Sequence, residues 1–182
     1  MTVRPLVLVG AGGFGRETTE VVAAINALRP TWDLRGFIDD DPARHGEIVA
    51  GLPILGGIDV IRPDYHVTVC VGNPANYTGR ARVVARLDLP AERYATLIHP
   101  TAVIPASVSV GHGTVIHATT VATGWSRIGA HVAMMPAGII THDDDIGDFA
   151  TLAAGVRLAG GVRVETGAYV GSGALIREDL TI

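Results

Sequence analysis

An aliphatic side chain recurs at every sixth position through the second half of the chain. From residue 98 to residue 182, 13 of the 15 positions in this register are Ile, Leu or Val. The positions two residues earlier mostly carry small side chains, including Ala102, Thr114, Ser126 and Gly138. Glycines gather one or three residues after the aliphatic position, where turns require them. A six-residue period is the signature of a parallel β-helix.

The repeat also predicts the geometry of this helix. Short strands alternate inward and outward, so each hexad supplies two inward residues to a narrow prism. Three hexads close one coil of 18 residues, and the segment 98–182 therefore makes about 4.7 coils. We predict a left-handed parallel β-helix over 98–182, with its first coil capped by the preceding domain. Because the chain stops within the pattern, we expect the final coils to be lacking.

Residues 1–97 show a different pattern, in which strands alternate with helices. An apolar run at 6–9 is followed by a Gly-rich turn at 10–15 and by apolar residues at helical spacing up to Leu28. Further strands are predicted at 34–38, 67–71 and 94–98, with a second helix at 80–87. This order predicts a small Rossmann-like α/β domain built on a parallel sheet.

The predicted sheet has a ligand-binding edge at the carboxyl ends of its strands. Three loops meet there: the Gly-rich turn at 10–15, the pair Asp39 and Asp40, and the loop that begins with Gly72 and Asn73. Glycines let backbone N–H groups approach a phosphate, and a helix N-terminus favours an anion. The aspartates could hydrogen-bond a ribose or a base. A plain tight turn and a solvated acidic turn are the alternatives for the separate motifs.

Composition and charge limit the binding partners, the location and the chemistry that we expect of this protein. The net charge is −4 and there is no basic run, so we expect no nucleic acid partner. No apolar stretch could span a membrane and no leader peptide opens the chain, so we expect a cytoplasmic protein. All 14 Lys and Arg positions are arginines, which excludes a lysine Schiff base. The single cysteine, Cys70, is predicted to pack as a small hydrophobic residue.

The repeat is interrupted by the segment T-H-D-D-D-I-G-D-F at 141–149. Asp144 occupies an inward position that is otherwise small, and His142 stands beside a carboxylate. Histidine is well suited to accept a proton near neutral pH, and a carboxylate can orient it. Coils of 18 residues place Gly124 and Gly160 on either side of His142, which leaves room for substrate and exposes a backbone N–H. A surface His–Asp pair is the alternative, but the break in a regular repeat favours a catalytic site.

These features together resemble the NeuD/PglD-type bacterial sugar acetyltransferases of the hexapeptide-repeat superfamily. The resemblance rests on the Gly-rich α/β domain, the L-I-H-P-T-A-V-I segment at 97–104, the coils, and the T-H-D-x-x-I-G-D-F stretch. It implies a homotrimer that transfers an acetyl group from acetyl-CoA to an amine or hydroxyl of a nucleotide-linked sugar. No metal is implied. We expect direct transfer in a ternary complex, without a covalent intermediate on the enzyme.

The resemblance assigns roles to individual residues. His142 is the general base, and Asp143 is the acid that orients it. Gly160 lies near the thioester, Ser172 falls on the CoA channel, and Thr151 stands where relatives often carry a second histidine that contacts the cofactor. The resemblance also implies that the sugar nucleotide lies against six residues of the N-terminal domain, which are Gly12, Gly13, Phe14, Asp39, Asp40 and Gly72.

The interpretation of four further residues stays open. Asp144 stands where relatives usually carry Cys or Ser, and we expect a hydrogen bond from it to Ser126, one coil away. Arg157, Arg163 and Arg177 could meet the CoA phosphates, although solvated turn positions are the simpler interpretation of each.

Three other functions remain as alternatives. The γ-class carbonic anhydrases share this solenoid and bind zinc through three histidines. His112 and His117 have a suggestive spacing, but His99 and His131 are only loose candidates for a third ligand. A nicotinamide-binding domain is a second alternative, although about 97 residues make only half of a two-nucleotide fold and the β-helix supplies no redox partner. A non-catalytic binding or scaffold protein is the third, and it would be indifferent to replacement of His142.

Overall fold

The computed structural model describes residues 3–182, which form an α/β domain followed by a β-helix. The first domain contains strands β1 (Arg4–Val9), β2 (Trp32–Ile38), β3 (Ile48–Val49), β4 (Leu52–Gly56) and β5 (His66–Val69), and helices α1 (Gly13–Leu28) and α2 (Gly79–Leu87). Its strands make one sheet in the order β3-β4-β2-β1-β5, which is parallel except for the pair of β3 and β4. The predicted α/β fold class is confirmed.

Two details of the sheet differ from the sequence prediction. The hairpin of β3 and β4 is not predicted, because β3 has only two residues and Gly51 and Pro53 interrupt the apolar pattern. The continuous strand predicted at 94–98 is not part of the sheet: Tyr94 forms a single parallel bridge with Val67. The backbone then leaves the sheet, since the N–H of Leu97 already donates to the carbonyl of Thr114 in the second domain.

The second domain is a parallel β-helix of two-residue to four-residue strands. These are β6 (Leu97–Ile98), β7 (Ser109–Val110), β8 (Val115–Ile116), β9 (Val121–Gly124), β10 (Arg127–Ile128), β11 (Ala133–Met134), β12 (Ile139–His142), β13 (Asp145–Ile146), β14 (Thr151–Leu152), β15 (Arg157–Leu158), β16 (Arg163–Val164), β17 (Tyr169–Val170) and β18 (Leu175–Ile176). They form three sheets, which we call face 1 (β16-β13-β10-β7), face 2 (β17-β14-β11-β8-β6) and face 3 (β18-β15-β12-β9).

Neighbouring strands on each face are offset by 18 residues, as Arg127 opposite Asp145 and Asp145 opposite Arg163 show. The inward positions fill the prism, where Ile116, Ile140 and Ile146 are fully buried. The predicted left-handed β-helix is confirmed by this register together with the solved structures of the same fold described below.

The turns of the β-helix share one backbone conformation. Every sixth residue from 113 to 179 has a positive φ, between 52° and 75°. Glycine occupies five of these twelve positions, where it avoids the steric cost of the left-handed region. Asp143 (φ 62°) and Trp125 (φ 52°) occupy the same position in adjacent coils. The repeat itself therefore fixes the backbone of the predicted orienting acid.

The α/β domain packs against face 2. One buried apolar cluster joins Leu6, Phe37 and Val22 of the first domain to Leu97 and Val115 of the β-helix. Because α1 begins directly after the Gly-rich turn, this packing brings the turn to the outward side of face 2. This contact between the α/β domain and face 2 determines which residues of the two domains can bind the same ligand.

Candidate active site

The predicted base lies at a corner of the prism. His142 is the last residue of β12 on face 3, and β13 on face 1 begins three residues later. His142 pairs with Gly124 in the preceding coil. The corner between faces 3 and 1 is the vertex opposite face 2, so His142 and the α/β domain stand on opposite sides of the prism within one chain.

The imidazole of His142 is oriented by its neighbour. Its Nδ1 lies 2.8 Å from Oδ2 of Asp143, and both side chains are mostly exposed. The hydrogen bond to Asp143 is the largest cause that raises the pKa of His142 above 6.5, with further contributions from the charges of Asp143, Asp144 and Asp179. With the proton on Nδ1 directed at the carboxylate, Nε2 keeps its lone pair for a substrate proton.

Glycines on both sides keep this corner open. A Cβ atom on Gly160 would lie 2.5 Å from Cε1 and 2.7 Å from Nε2 of His142, so the ring lies directly over the Gly160 backbone. Within residues 3–182 the N–H of Gly160 has no acceptor, which leaves it free for a ligand oxygen. Trp125, next to Gly124, is 75% exposed and flanks the other side. The 18-residue offset predicts both glycines, but Trp125 carries no periodic signal because turn positions are variable.

Asp144 ties together the backbone beneath the histidine. Its side chain is buried, and its two carboxylate oxygens accept from the N–H groups of Thr141 (2.9 Å) and Val162 (2.8 Å). The expected contact with Ser126 is present in a different form: the backbone N–H of Asp144 donates to Ser126 Oγ at 3.1 Å. The carboxylate accepts hydrogen bonds from two backbone N–H groups that would otherwise have no acceptor. Burial is the main cause that raises the pKa of Asp144.

We expect Asp143→Asn to move the pH dependence of acetyl transfer. An amide removes the main cause of the raised His142 pKa, so the acidic limb of kcat/KM should shift to lower pH while the plateau falls. The shift should be partial, because the charges of Asp144 and Asp179 remain. The pH profile of kcat/KM measures it, and an unchanged limb would show that Asp143 does not orient the base.

We expect Asp144→Ala to destabilise the β-helix. The substitution leaves two N–H groups without acceptors, and at about 1–3 kcal/mol each the free energy of unfolding should fall by at least about 2 kcal/mol. Asp145→Ala is the control, because its exposed ion pair with Arg127 should contribute no more than about 1 kcal/mol. Urea unfolding of both variants compares them, and equal losses would contradict this role of Asp144.

The second half of the predicted site lies between the domains. A cavity of about 180 Å³ is lined on one side by Gly13, Phe14 and Gly72, and on the other by Thr151 and Tyr169 of face 2.

The Gly-rich turn contains two kinds of glycine. A Cβ on Gly15 would lie 2.1 Å from the carbonyl oxygen of Gly10, so this glycine serves packing. Cβ atoms on Gly12 and Gly13 would meet nothing within 4 Å.

The two aspartates predicted at the ligand-binding edge have different partners in the structure. Asp39 stays at the turn: one carboxylate oxygen, Oδ2, accepts from the N–H of Ala11 (3.2 Å) and from Arg44 (2.9 Å). Asp40 points elsewhere and forms an ion pair with Arg86 on α2, beside Arg82. Asp40 therefore does not line this cavity, because successive side chains at the end of β2 leave the backbone in different directions, and its contact with a nucleotide stays a prediction.

The residues predicted to contact the cofactor are also separated. Gly160 adjoins His142, Thr151 lines the cavity, and Ser172 lies in an exposed turn between β17 and β18. Arg157 and Arg177 line a groove on face 3 that includes Thr141. Arg163 lies on face 1 beside Arg127 and Asp145, away from this groove.

A residue without a sequence signal of its own joins the two domains. Arg80 on α2 is only 2% exposed, and its guanidinium reaches face 2. It donates to the carbonyl oxygens of His131 (2.7 Å) and Phe149 (2.7 Å) and to Oγ1 of Thr151 (2.8 Å). The one hint in the sequence is that Arg80 precedes Val83, Val84 and Leu87 at helical spacing, on the buried side of the helix.

The buried histidines and the cysteine are part of the core. Burial lowers the pKa of His117 and of His131 to about 4, and raises the pKa of Cys70 to about 12. His131 stacks on Phe149 and meets His112 edge to face, whereas His117 lies under Phe14. The described part of the chain contains no group of three His, Cys, Asp or Glu side chains that could hold a metal ion. The zinc alternative therefore lacks its ligand set there.

Comparison with known proteins agrees with this architecture. Residues 5–87 match the model of the PglD N-terminal domain. The acetyltransferase domain of PglB from Neisseria gonorrhoeae is 25% identical, with a TM-score of 0.74 over 97% of this chain and 93% of that chain. A mutant of perosamine N-acetyltransferase from Caulobacter crescentus, in complex with CoA and GDP-perosamine, is 22% identical, with a TM-score of 0.73 over 99% and 91%. WeeI from Acinetobacter baumannii is 21% identical, with a TM-score of 0.64 over 99% and 96%. A sequence comparison with curated proteins gives no match.

An α/β domain seated on one face of a β-helix, with a His–Asp pair at a break in the hexapeptide repeat, defines an acyltransferase of the hexapeptide-repeat class. Together with the match of residues 5–87 to the PglD N-terminal domain, this confirms the predicted resemblance of the chain to the NeuD/PglD-type sugar acetyltransferases. Within residues 3–182, no helix is long and apolar enough to cross a membrane.

Proposed function

We propose that this protein is an acetyl-CoA-dependent acetyltransferase that acts on an amine or hydroxyl of a nucleotide-linked sugar. The observation that carries the proposal is the open corner at His142, where a carboxylate-oriented imidazole lies over a glycine whose N–H is free. Acetyl transfer requires a base for the nucleophile and a donor for the carbonyl oxygen, and this corner supplies both.

The residues divide the reaction between them. Nε2 of His142 accepts the proton of the attacking amine or hydroxyl as the new bond to the acetyl carbon forms. The N–H of Gly160 donates to the carbonyl oxygen while it carries negative charge. As the carbon–sulfur bond breaks, the protonated His142 returns the proton to the departing thiolate. Direct transfer requires no protein nucleophile. The thiol of Cys70 is buried and protonated, so it could not serve as one.

The sugar nucleotide is proposed to occupy the cavity between the domains. Gly12 and Gly13 leave space at the turn, and Phe14, Asp39 and Gly72 stand around it. The Caulobacter relative binds GDP-perosamine, which is an amino sugar linked to a nucleotide, and this supports an amino-sugar acceptor. Complexes of similar proteins with acetyl-CoA and CoA support the predicted co-substrate.

The position of the two half-sites favours a homotrimer. His142 lies at the vertex opposite face 2, whereas the cavity lies on face 2. A single chain therefore cannot present its own base to a substrate in its own cavity. A second copy that brings its vertex to the cavity would complete the site, which agrees with the trimer that the family resemblance implies. A cytoplasmic location remains a prediction.

Incubation with acetyl-CoA and a panel of UDP-, dTDP-, GDP- and CMP-linked sugars with free amines or hydroxyls tests the proposal. Acceptor-dependent release of the CoA thiol is the expected result. Absence of turnover with every acceptor of the panel would count against the proposed function.

A further inference from the structure

The buried guanidinium of Arg80 has no carboxylate partner within residues 3–182. It is surrounded by oxygen atoms of the backbone, from Val71, His131, Phe149 and Ala150, and by the hydroxyl of Thr151. Burial lowers its pKa to about 10, so it stays protonated at neutral pH. A buried charge is costly unless it is well hydrogen-bonded, and the carbonyl oxygens here supply that compensation.

This arrangement fixes two walls of the cavity at once. One terminal nitrogen donates to the carbonyl of Val71 at 3.0 Å, directly before Gly72. The other donates to Thr151 Oγ1 at 2.8 Å. Gly72 and Thr151 face each other across the cavity between the domains. Arg80 therefore sets the distance between the N-terminal loop and face 2 where the substrate is proposed to lie.

The contact also fixes the direction in which the Thr151 hydroxyl can bond. A guanidinium only donates hydrogen bonds, so Oγ1 must act as the acceptor toward Arg80. The hydroxyl proton must then be directed elsewhere, and within residues 3–182 it has no acceptor. Since Thr151 lines the cavity, this proton is available to a ligand. Donation from a cation polarises the hydroxyl and strengthens it as a donor.

We propose that Arg80 is a positioning residue that makes the Thr151 hydroxyl an obligatory hydrogen-bond donor to an oxygen atom of the bound substrate. The oxygen is either the thioester carbonyl of acetyl-CoA or an oxygen of the acceptor sugar. This inference rests on the proposed acetyl transfer for its kinetic readout, and on ligand binding for a second readout that does not require turnover.

The first test compares Thr151→Val with Thr151→Ser. Valine keeps the shape and removes the hydroxyl, so kcat/KM should fall by about 10- to 100-fold, while serine should keep activity within about fivefold. A loss confined to the KM of acetyl-CoA assigns the donor to the thioester, and one confined to the KM of the acceptor assigns it to the sugar. Equal activity of the valine variant and the wild-type protein would overturn the inference.

The second test asks whether Arg80 acts through Thr151. Arg80→Lys keeps the charge but cannot reach all five acceptors, so it should lower kcat/KM by about tenfold. In the Thr151→Val background Arg80→Lys should lower kcat/KM by clearly less than this, because the hydroxyl that it directs is gone and only its contacts with backbone carbonyl oxygens, including that of Val71, remain. Equal costs in both backgrounds would show that Arg80 only holds the domains together. If Arg80→Lys does not fold, as judged by near-UV circular dichroism, the Thr151 pair decides alone.

Calorimetric titration with acetyl-CoA and with each nucleotide sugar separates this inference from the proposed function. If the wild-type protein binds a ligand but transfers no acetyl group, the proposed function fails. In that case Thr151→Val should still weaken binding of that ligand by about tenfold, and unchanged binding would overturn the role of Thr151.

Discussion

Replacement of His142 by alanine should lower kcat for acetyl transfer by about 10²- to 10⁴-fold, the range typical of a positioned general base. The side chain is mostly exposed and its ring does not contribute to the core, so the melting temperature should stay unchanged. Steady-state kinetics on a folded variant measures the effect. Because the substrate cavity lies on face 2, the KM of the acceptor should change little.

His142→Asn gives a matched comparison, since asparagine keeps a polar side chain but cannot accept a proton near neutral pH. It should be as inactive as the alanine variant. Retention of wild-type kcat in either variant would remove His142 from the mechanism.

The second large effect is expected from Gly160→Ala. A methyl group at this position would lie 2.5 Å from Cε1 of His142, so the ring must leave its place over the backbone. A displaced base loses its alignment with the substrate, and kcat should fall by about 10²-fold or more. Little change in stability is expected, because the exposed ring can move into solvent.

Gly171→Ala is the control for this prediction. It is another glycine of the β-helix, and a Cβ atom there would meet no heavy atom within 4 Å. It should keep its activity, which would show that a methyl group on a coil glycine is tolerated in itself. An active Gly160→Ala variant would mean that the ring position described here is not the one used in catalysis.

Much of the catalytic corner is predictable because the repeat has no insertions. With an unbroken period of six, an offset of 18 residues in the sequence becomes a neighbour in space, which is why Gly124 and Gly160 could be assigned to the two sides of His142. Asp144 was recognisable as an anomaly for the same reason. Its partners were not predictable, because they are backbone N–H groups that exist at every position whatever the side chain.

The site between the domains was predicted less completely. The turn at Gly12 and Gly13 and the loop at Gly72 follow from the strand order, since parallel strands end at a common edge. The contact of this edge with Thr151 depends on how the α/β domain sits on face 2, which no periodicity encodes. Arg80 was missed because four of its five acceptors lie 51 to 71 residues further along the chain and most are carbonyl oxygens.

We propose that His142 drives transfer of an acetyl group from acetyl-CoA to a nucleotide-linked sugar. Its most direct test measures, in one reaction, the thiol released and the acceptor that gains the mass of one acetyl group. The wild-type protein should give equal amounts of both products, and His142→Ala should give neither above background. Thiol release without acetylated acceptor, or undiminished acetylation by His142→Ala, would contradict this role of His142.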